Sequence, residues 1–481
     1  MLVSIAAGYV GALAAPLLYR AAPWAAAPIC TGLPLVLFLY FLSLAGPAGN
    51  GGIASTFSWV PSLGVNVSFR LDGLSLLFSL VITGIGSLVV FYSSAYLKDH
   101  HQLGRMYALI LAFMASMLGL VLAENLVVLY VFWELTSITS YLLIGFNHKE
   151  DKSRQAALEA LLVTGAGGLA LLAGILILGF IGGSLEITQL MQQKEALLQN
   201  PLYFPALLLV LAGAFTKSAQ FPFHFWLPSA MAAPTPVSTY LHSAAMVKAG
   251  IYLLARLAPV LGGSEAWHYS IAAVGLTTML AGAVMSIPQE DLKRILAYTT
   301  VSALGTLMLL IGIGTEAAMQ AFAVYLLVHV LYKASLFLVA GAVDHAAGTR
   351  ELSRLGGLRK VLPLVSVAAV LAAMSMAGMP PSFGYIGKEL LYEAKLHTPE
   401  AAWLVTAAGV SANIVMVAAA AMVGFAPFFR TGDLPRKPHP VSWKLWLGPL
   451  IPAAAGLIIG LFPGLVAEPF IRPAVAAVTT L

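Results

Sequence analysis

Runs of about twenty apolar residues recur along the whole of this 481-residue chain, and that recurrence constrains its fold more than any other feature. At a rise of ~1.5 Å per residue, such a run makes a helix of about 30 Å, the thickness of a bilayer's hydrocarbon core. A helix also pairs its backbone polar groups internally, which lipid demands. The spacing predicts an all-α polytopic membrane protein with about fourteen transmembrane helices, forming one membrane domain over 1–481. Composition agrees: 9% of residues are charged, against roughly a quarter in soluble domains. The first run, 2–20, has no basic residue ahead of it and is read as a retained helix rather than a cleaved signal.

The net charge of +5 does not point to nucleic acid, because the basic residues stand singly between apolar runs and form no stripe. They do set an orientation. Lys and Arg are retained in cytoplasmic loops, and here they concentrate after odd-numbered segments, among them Lys149, Lys152, Lys293, Arg294, Arg354, Arg359, Lys360, Arg430 and Arg436. The even-numbered loops hold only Arg70, Lys194, Arg256, Lys395 and, after the last helix, Arg472. This predicts a multi-pass protein of the cell membrane with both termini external.

Cys30 is the single cysteine, no HExxH or other metal-ligand spacing occurs, and phosphate-loop, nucleophile and haem-attachment motifs are missing. The expectation is a chain with no cofactor, no metal and no redox site of its own, hence a transporter component and not an enzyme. Gly165-Ala-Gly167-Gly168 lies inside an apolar run with no strand before it and is read as close helix packing, not a dinucleotide loop.

Two segments are interrupted by proline: Gln220-Phe-Pro222-Phe-His224-Phe-Trp-Leu-Pro228 after the seventh, and Met379-Pro380-Pro381-Ser-Phe-Gly384 inside the twelfth. They lie five helices apart. Paired interruptions of this kind suggest an inverted repeat around an ion path.

Five ionisable residues fall inside apolar segments: Glu134, Lys217, Lys248, Lys333 and Lys388. At about 3 kcal/mol each at the membrane centre, they cost on the order of 15 kcal/mol together, so a function retains them. Ser137 and Tyr141 follow Glu134 at i+3 and i+7, on one face. Burial disfavours the charged form of any ionisable group and an opposite charge restores it. A glutamate and a lysine that approach and separate therefore pass between charge states as a proton arrives; a structural ion pair is the alternative. Tyr325, His329 and Lys333 recur every four residues as one polar stripe, suited either to a water wire with histidine as shuttle or to bonds between helices. His242 shares a helix with Lys248 but lies on a different face.

At this point several motifs become specific. Phe69-Arg-Leu-Asp72-Gly-Leu-Ser75, Phe132-Trp-Glu134-Leu-Thr-Ser, Lys217-Ser-Ala-Gln-Phe-Pro-Phe-His-Phe-Trp-Leu-Pro228, Ala233-Pro-Thr-Pro-Val-Ser238, Asp291-Leu-Lys-Arg and His329-Val-Leu-Tyr-Lys333 resemble the antiporter-type subunits shared by Mrp sodium/proton antiporters and respiratory complex I. The residues around Trp133, and the segment from Trp59 to Phe69, most resemble the A-type member of the Mrp antiporter subunits.

The resemblance implies two inverted five-helix repeats, helices 4–8 and 9–13, with helices 7 and 12 broken. In residues, it implies three N-terminal helices over 1–104, repeats over 105–258 and 268–426, and a last helix over 445–466. It implies that Glu134 pairs with Lys217, that Lys248, Lys333 and Lys388 continue a central polar axis, and that His329 belongs to the eleventh-helix motif. The implied function is a proton-translocating subunit of a multisubunit sodium/proton antiporter, partnered by other membrane subunits. Alternatives are a proton-pumping subunit of a complex I-like or hydrogenase redox complex, and a membrane partner in inorganic carbon uptake. The A-type relatives usually continue well beyond the fourteenth helix, whereas the sequence here ends at Leu481; the resemblance then implies either that the extension is a separate polypeptide or that the chain belongs with a shorter relative.

Overall fold

The computed structural model describes residues 1–60, 65–98, 100–398 and 400–479. Residues 61–64 of the Trp59–Phe69 segment lie outside that description. Helices α1 (Leu2–Ala21) and α2 (Pro23–Ser43) lead into a hairpin of β1 (Ile53–Val60) and β2 (Val65–Leu71), followed by α3 (Gly73–Tyr96). Next come α4 (Leu103–Leu122), α5 (Leu126–Ile144), α6 (Asp151–Gly182) and α7 (Tyr203–Lys217). The eighth segment, α8 (Thr235–Leu261), precedes α9 (Glu265–Ser286), α10 (Leu292–Ile313) and α11 (Glu316–Ala347). Two half-helices, α12 (Pro363–Ala377) and α13 (Phe383–Leu396), are followed by α14 (Ala402–Gly424) and α15 (Trp443–Leu461).

Among the described residues twelve helices are long and apolar enough to span a membrane; α7 and α12 are shorter apolar helices. Both stop where the sequence places its proline interruptions. The helical architecture holds, with one addition that the sequence reading did not include, a two-stranded hairpin: β1 and β2 pair antiparallel, Ile53 opposite Leu71 and Ser55 opposite Phe69. Alternating small and β-branched residues around Thr56 and Val67 favour extended backbone, and residues 53–71 lie in a gap between spanning segments.

Helix starts are fixed by side-chain caps that satisfy otherwise orphaned N–H groups. Asp72 accepts from Ser75 N at 3.1 Å while Ser75 Oγ accepts from Asp72 N at 2.8 Å, a reciprocal box that starts α3. Asn125 caps α5 by accepting from Val127 N (2.9 Å), and Asp291 caps α10 by accepting from Lys293 N (2.8 Å). Each of these two capping residues also forms an isolated antiparallel bridge, Asn125 to Glu186 and Asp291 to Glu351. The core is continuous: α10 and α11 are buried over almost all of their length, whereas only about a third of α1, α2 and α15 is buried, as for helices on the lipid-facing rim.

Candidate functional site

The four lysines of the apolar segments are held one by one, each by at least one acceptor of a neighbouring helix. Lys217 is the last residue of α7, so the end of the helix aims it into the interior, where it is fully buried. Its Nζ donates to Trp133 O (3.1 Å) and to Ser137 Oγ (2.6 Å) on α5, and lies 5.2 Å from the centre of the Trp133 ring. Glu134, on the same helix, is half-buried, and its Oε1 has no hydrogen-bond partner among the described residues. The expected pairing of Glu134 with Lys217 is therefore not a contact: no nitrogen–oxygen distance between them falls within 4.0 Å. The lysine instead takes the carbonyl one residue before the glutamate and the hydroxyl three residues after it.

Space for the Glu134 carboxylate comes from α6. A Cβ on Gly168 would collide with Glu134 Oε1, and one on Gly167 would collide with Thr216, next to Lys217. Of the three glycines read as packing residues, Gly167 and Gly168 are tightly packed while Gly165 faces open space, and what Gly168 packs against is the candidate acid.

Lys248 sits in a tight turn, Met246–Lys248, that follows a wide helical turn over Tyr240–Ala244 and interrupts α8. The sequence offered no proline to signal this third irregularity. Ser218 Oγ accepts from Ile251 N at 3.1 Å, so α7 and α8 meet one residue after Lys217 and three after Lys248. Lys248 Nζ donates to Ser243 O and to His329 Nδ1, the latter at 3.1 Å. With Lys248 as donor the imidazole proton sits on His329 Nε2, which has no partner among the described residues. His242 is fully buried with both ring nitrogens unpartnered among those residues.

Tyr325, His329 and Lys333 are all buried on α11, as one stripe, but their partners differ. His329 meets α8, whereas Lys333 Nζ turns to α10 and donates to Leu296 O (2.9 Å) and to Thr299 Oγ1. The arrangement repeats that of Lys217: one carbonyl and one hydroxyl about a turn apart on one helix. Lys388, on α13, reaches back across the break to Ala377 O (2.7 Å) and to Asn413 Oδ1 on α14. A cation at the end of α12 complements the partial negative charge of its last carbonyls. Beside it lies a cavity of about 40 Å³ lined by Tyr325, Lys388, Tyr392, Lys395 and Asn413, room for about one water.

Three residues assigned to loops lie inside. Lys293 is fully buried and donates to Met231 O (2.9 Å) and Ala233 O (2.6 Å). Lys395 is buried, its Nζ 3.9 Å from Met279 Sδ. Arg256 grips Asp72 through two bonds, of 2.5 and 2.8 Å, while its Nε donates to Tyr252 Oη (3.0 Å). All three lie within a turn or two of a helix end, where hydropathy does not separate a buried cation from one that snorkels to water. Thr299, Asn413 and Gly168 carried no signal of their own, since hydroxyls, amides and glycines are ordinary in membrane helices.

Such a site can pass protons. A lysine ammonium has three donors and each of these finds two acceptors, none a carboxylate within 4.0 Å, so loss of the proton leaves no stranded counter-ion. Among the described residues no cluster of histidine, cysteine or carboxylate side chains is arranged to hold a metal ion.

The family described as NADH:quinone oxidoreductase/Mrp antiporter, TM, matches residues 123–415, and that described as NADH-Ubiquinone oxidoreductase (complex I), chain 5 N-terminus, matches residues 57–107. The chain is 41% identical over 498 residues to the A1 subunit of the Na(+)/H(+) antiporter of Staphylococcus haemolyticus, covering 97% of this chain and 62% of that relative. It is 45% identical over 457 residues to the A/B subunit of a probable K(+)/H(+) antiporter of Rhizobium meliloti, covering 93% of this chain and 45% of that one. A chain in the structure of the Mrp complex from Dietzia sp. DQ12-45-1b superposes with a TM-score of 0.89 at 38% identity, covering 99% of this chain and 52% of its own length. The sequence thus spans less than two thirds of these relatives.

Proposed function

Because the chain belongs to the family of NADH:quinone oxidoreductase/Mrp antiporter membrane subunits, we propose that it is a proton-translocating subunit of a multisubunit monovalent cation/proton antiporter, with other membrane subunits as its partners. The observation that carries this reading is the series Lys217, Lys248, Lys333 and Lys388, each buried or largely so and each held by neutral acceptors. A purely structural lysine at this depth gains most from a carboxylate partner. One that exchanges its proton is served by acceptors that tolerate both charge states.

In this reading Glu134 takes up or releases a proton beside Lys217, Lys248 and His329 relay it, and Lys333 and Lys388 carry it on. Sodium is the cation proposed for exchange; the staphylococcal relative is named for sodium and the rhizobial one for potassium. We infer an inverted repeat over 105–258 and 268–426. Its support is the matched pair of capped helix starts, Asn125 bridged to Glu186 and Asp291 bridged to Glu351, 61 and 60 residues along. We also infer that both termini are external, supported by Lys149, Lys152, Arg359 and Lys360 in loops that share one side.

The test is cation-driven proton movement in everted vesicles from a strain lacking related antiporters, with the complex expressed with and without this chain. Equal fluxes in both cases overturn the proposal. A second reading, redox-driven pumping, is favoured by the complex I description that matches residues 57–107. Proton movement that needs an electron donor and ignores sodium and potassium supports it instead.

A further inference from the structure

The outer face of the second broken helix is polar where lipid would require it to be apolar. Tyr385, Glu389 and Glu393 recur at four-residue spacing along α13 and all three are exposed. The depth of this stripe follows from contacts with α14. Lys388 bonds Asn413, Tyr392 Oη accepts from Asn413 Nδ2 (2.7 Å), and the stem of Lys395 packs against Gly409. Asn413 is the middle residue of Ala402–Gly424, eleven from either end. Glu389 and Glu393 therefore stand on either side of the mid-plane of a full-length spanning helix, where a lipid-facing carboxylate is strongly disfavoured.

A second, independent feature lies on the same side. Met379, Pro380 and Pro381, the unwound backbone between α12 and α13, are also exposed. Non-helical backbone at this depth is found only when buried in protein or lining water, never against lipid. The cavity beside this helix is on its other face, with Lys388 and Lys395, so lysines point inward and glutamates outward. The outward stripe runs along one helix, with exposed Met379 before its start and exposed Leu396 at its end. Neither Glu389 nor Glu393 has an ion-pair partner among the described residues.

We propose that the stripe Tyr385, Glu389 and Glu393, with the adjoining break at Met379–Pro381, is an intramembrane docking surface for a spanning helix of another subunit that presents lysine or arginine to the two glutamates. This rests on the reading of the chain as one subunit of a larger assembly. Opposite charge is what the surface lacks, and a cation supplied from outside satisfies both carboxylates without disturbing the lysines behind them.

The experiment uses the complete set of subunits co-expressed in native membranes, with Tyr385 replaced by the photoreactive p-benzoylphenylalanine. Irradiation is expected to give one adduct, to a membrane helix with a lysine or arginine within a turn of the attachment point. Glu389→Lys combined with Glu393→Lys should lower co-purification of that subunit by about tenfold or more, and changing the partner's cation to glutamate should restore it. The paired Glu→Gln variant, with chain levels measured in each case, separates loss of docking from failure to fold. Adducts to lipid alone, or full labelling of Glu389→Cys by a membrane-impermeant maleimide in the intact complex, overturn the proposal. If the wild-type chain co-purifies with no membrane subunit, the assembly reading fails as well; if the complex is intact and only the adduct is missing, the docking surface alone is refuted.

Discussion

Lys217 donates to Ser137 Oγ at 2.6 Å, three residues beyond Glu134 and one helical turn along from it, so that lysine and glutamate share a helix face without touching. A neutral hydroxyl thus stands where a direct ion pair was expected. Glu134 stands in sequence between the two α5 acceptors of Lys217, Trp133 and Ser137, yet has no oxygen within 4.0 Å of the lysine ammonium.

The first prediction follows from that geometry. Glu134→Gln and Lys217→Ala should each lower transport per assembled complex by about tenfold or more, the effect of ~1.4 kcal/mol on a limiting transfer. Glu134→Asp should retain part of the activity, and Ser137→Ala should lower it less than Lys217→Ala. Flux in vesicles, normalised to complex isolated from the same membranes, checks this; wild-type rates in both Glu134→Gln and Lys217→Ala would falsify the assignment.

Gly168 should behave as a site residue although it carries no chemistry. Gly168→Ala puts a methyl group where Glu134 Oε1 lies, so the carboxylate must turn away. Transport is expected to fall by several-fold while chain levels stay near normal, since overpacking by one methyl costs only about 1–3 kcal/mol. Gly165→Ala, which meets nothing within 4 Å, is the control.

Lys248 and His329 should act as a unit. They bond at 3.1 Å, so Lys248→Ala and His329→Ala should each impair transport, while the double variant should lose little more than the worse single one. Losses that multiply across the two sites would show that they work independently.

Asp72 and Arg256 make a different prediction, of stability. Their bidentate pair is buried and also starts α3, so removing Asp72 strands Arg256 at a cost of about 3–5 kcal/mol, while removing Arg256 leaves Asp72 only the more distant Arg70, 3.9 Å away. Asp72→Asn or Arg256→Gln alone should deplete full-length chain in the membrane, and the two together should recover much of it. Thermal unfolding of the purified variants is the measurement, and equal instability of single and double variants would count against the pair.

Orientation is open to a direct check. A reporter inserted after Lys152 should read cytoplasmic and one fused to the C-terminus external, and the reverse at both sites would overturn the helix count or the loop-charge argument.

By itself the sequence determined the membrane class, the approximate bounds of the spanning segments, the two proline interruptions and the four lysines inside apolar windows. Each of these is a one-dimensional property: apolar run length against bilayer thickness, a missing N–H at proline, a charge inside an apolar window. Only the tertiary structure decided who meets whom. It gave Lys217 the Trp133 carbonyl and Ser137 in place of Glu134, sent Lys333 to Thr299 and His329 to Lys248 from one stripe, and drew Lys293, Lys395 and Arg256 in from the segment ends. The physical reason is that a spanning helix forms from its own sequence, whereas its rotation and the partners of its polar groups are set by neighbours up to hundreds of residues away. A carbonyl, hydroxyl or glycine that serves a distant lysine or glutamate leaves no local pattern to read.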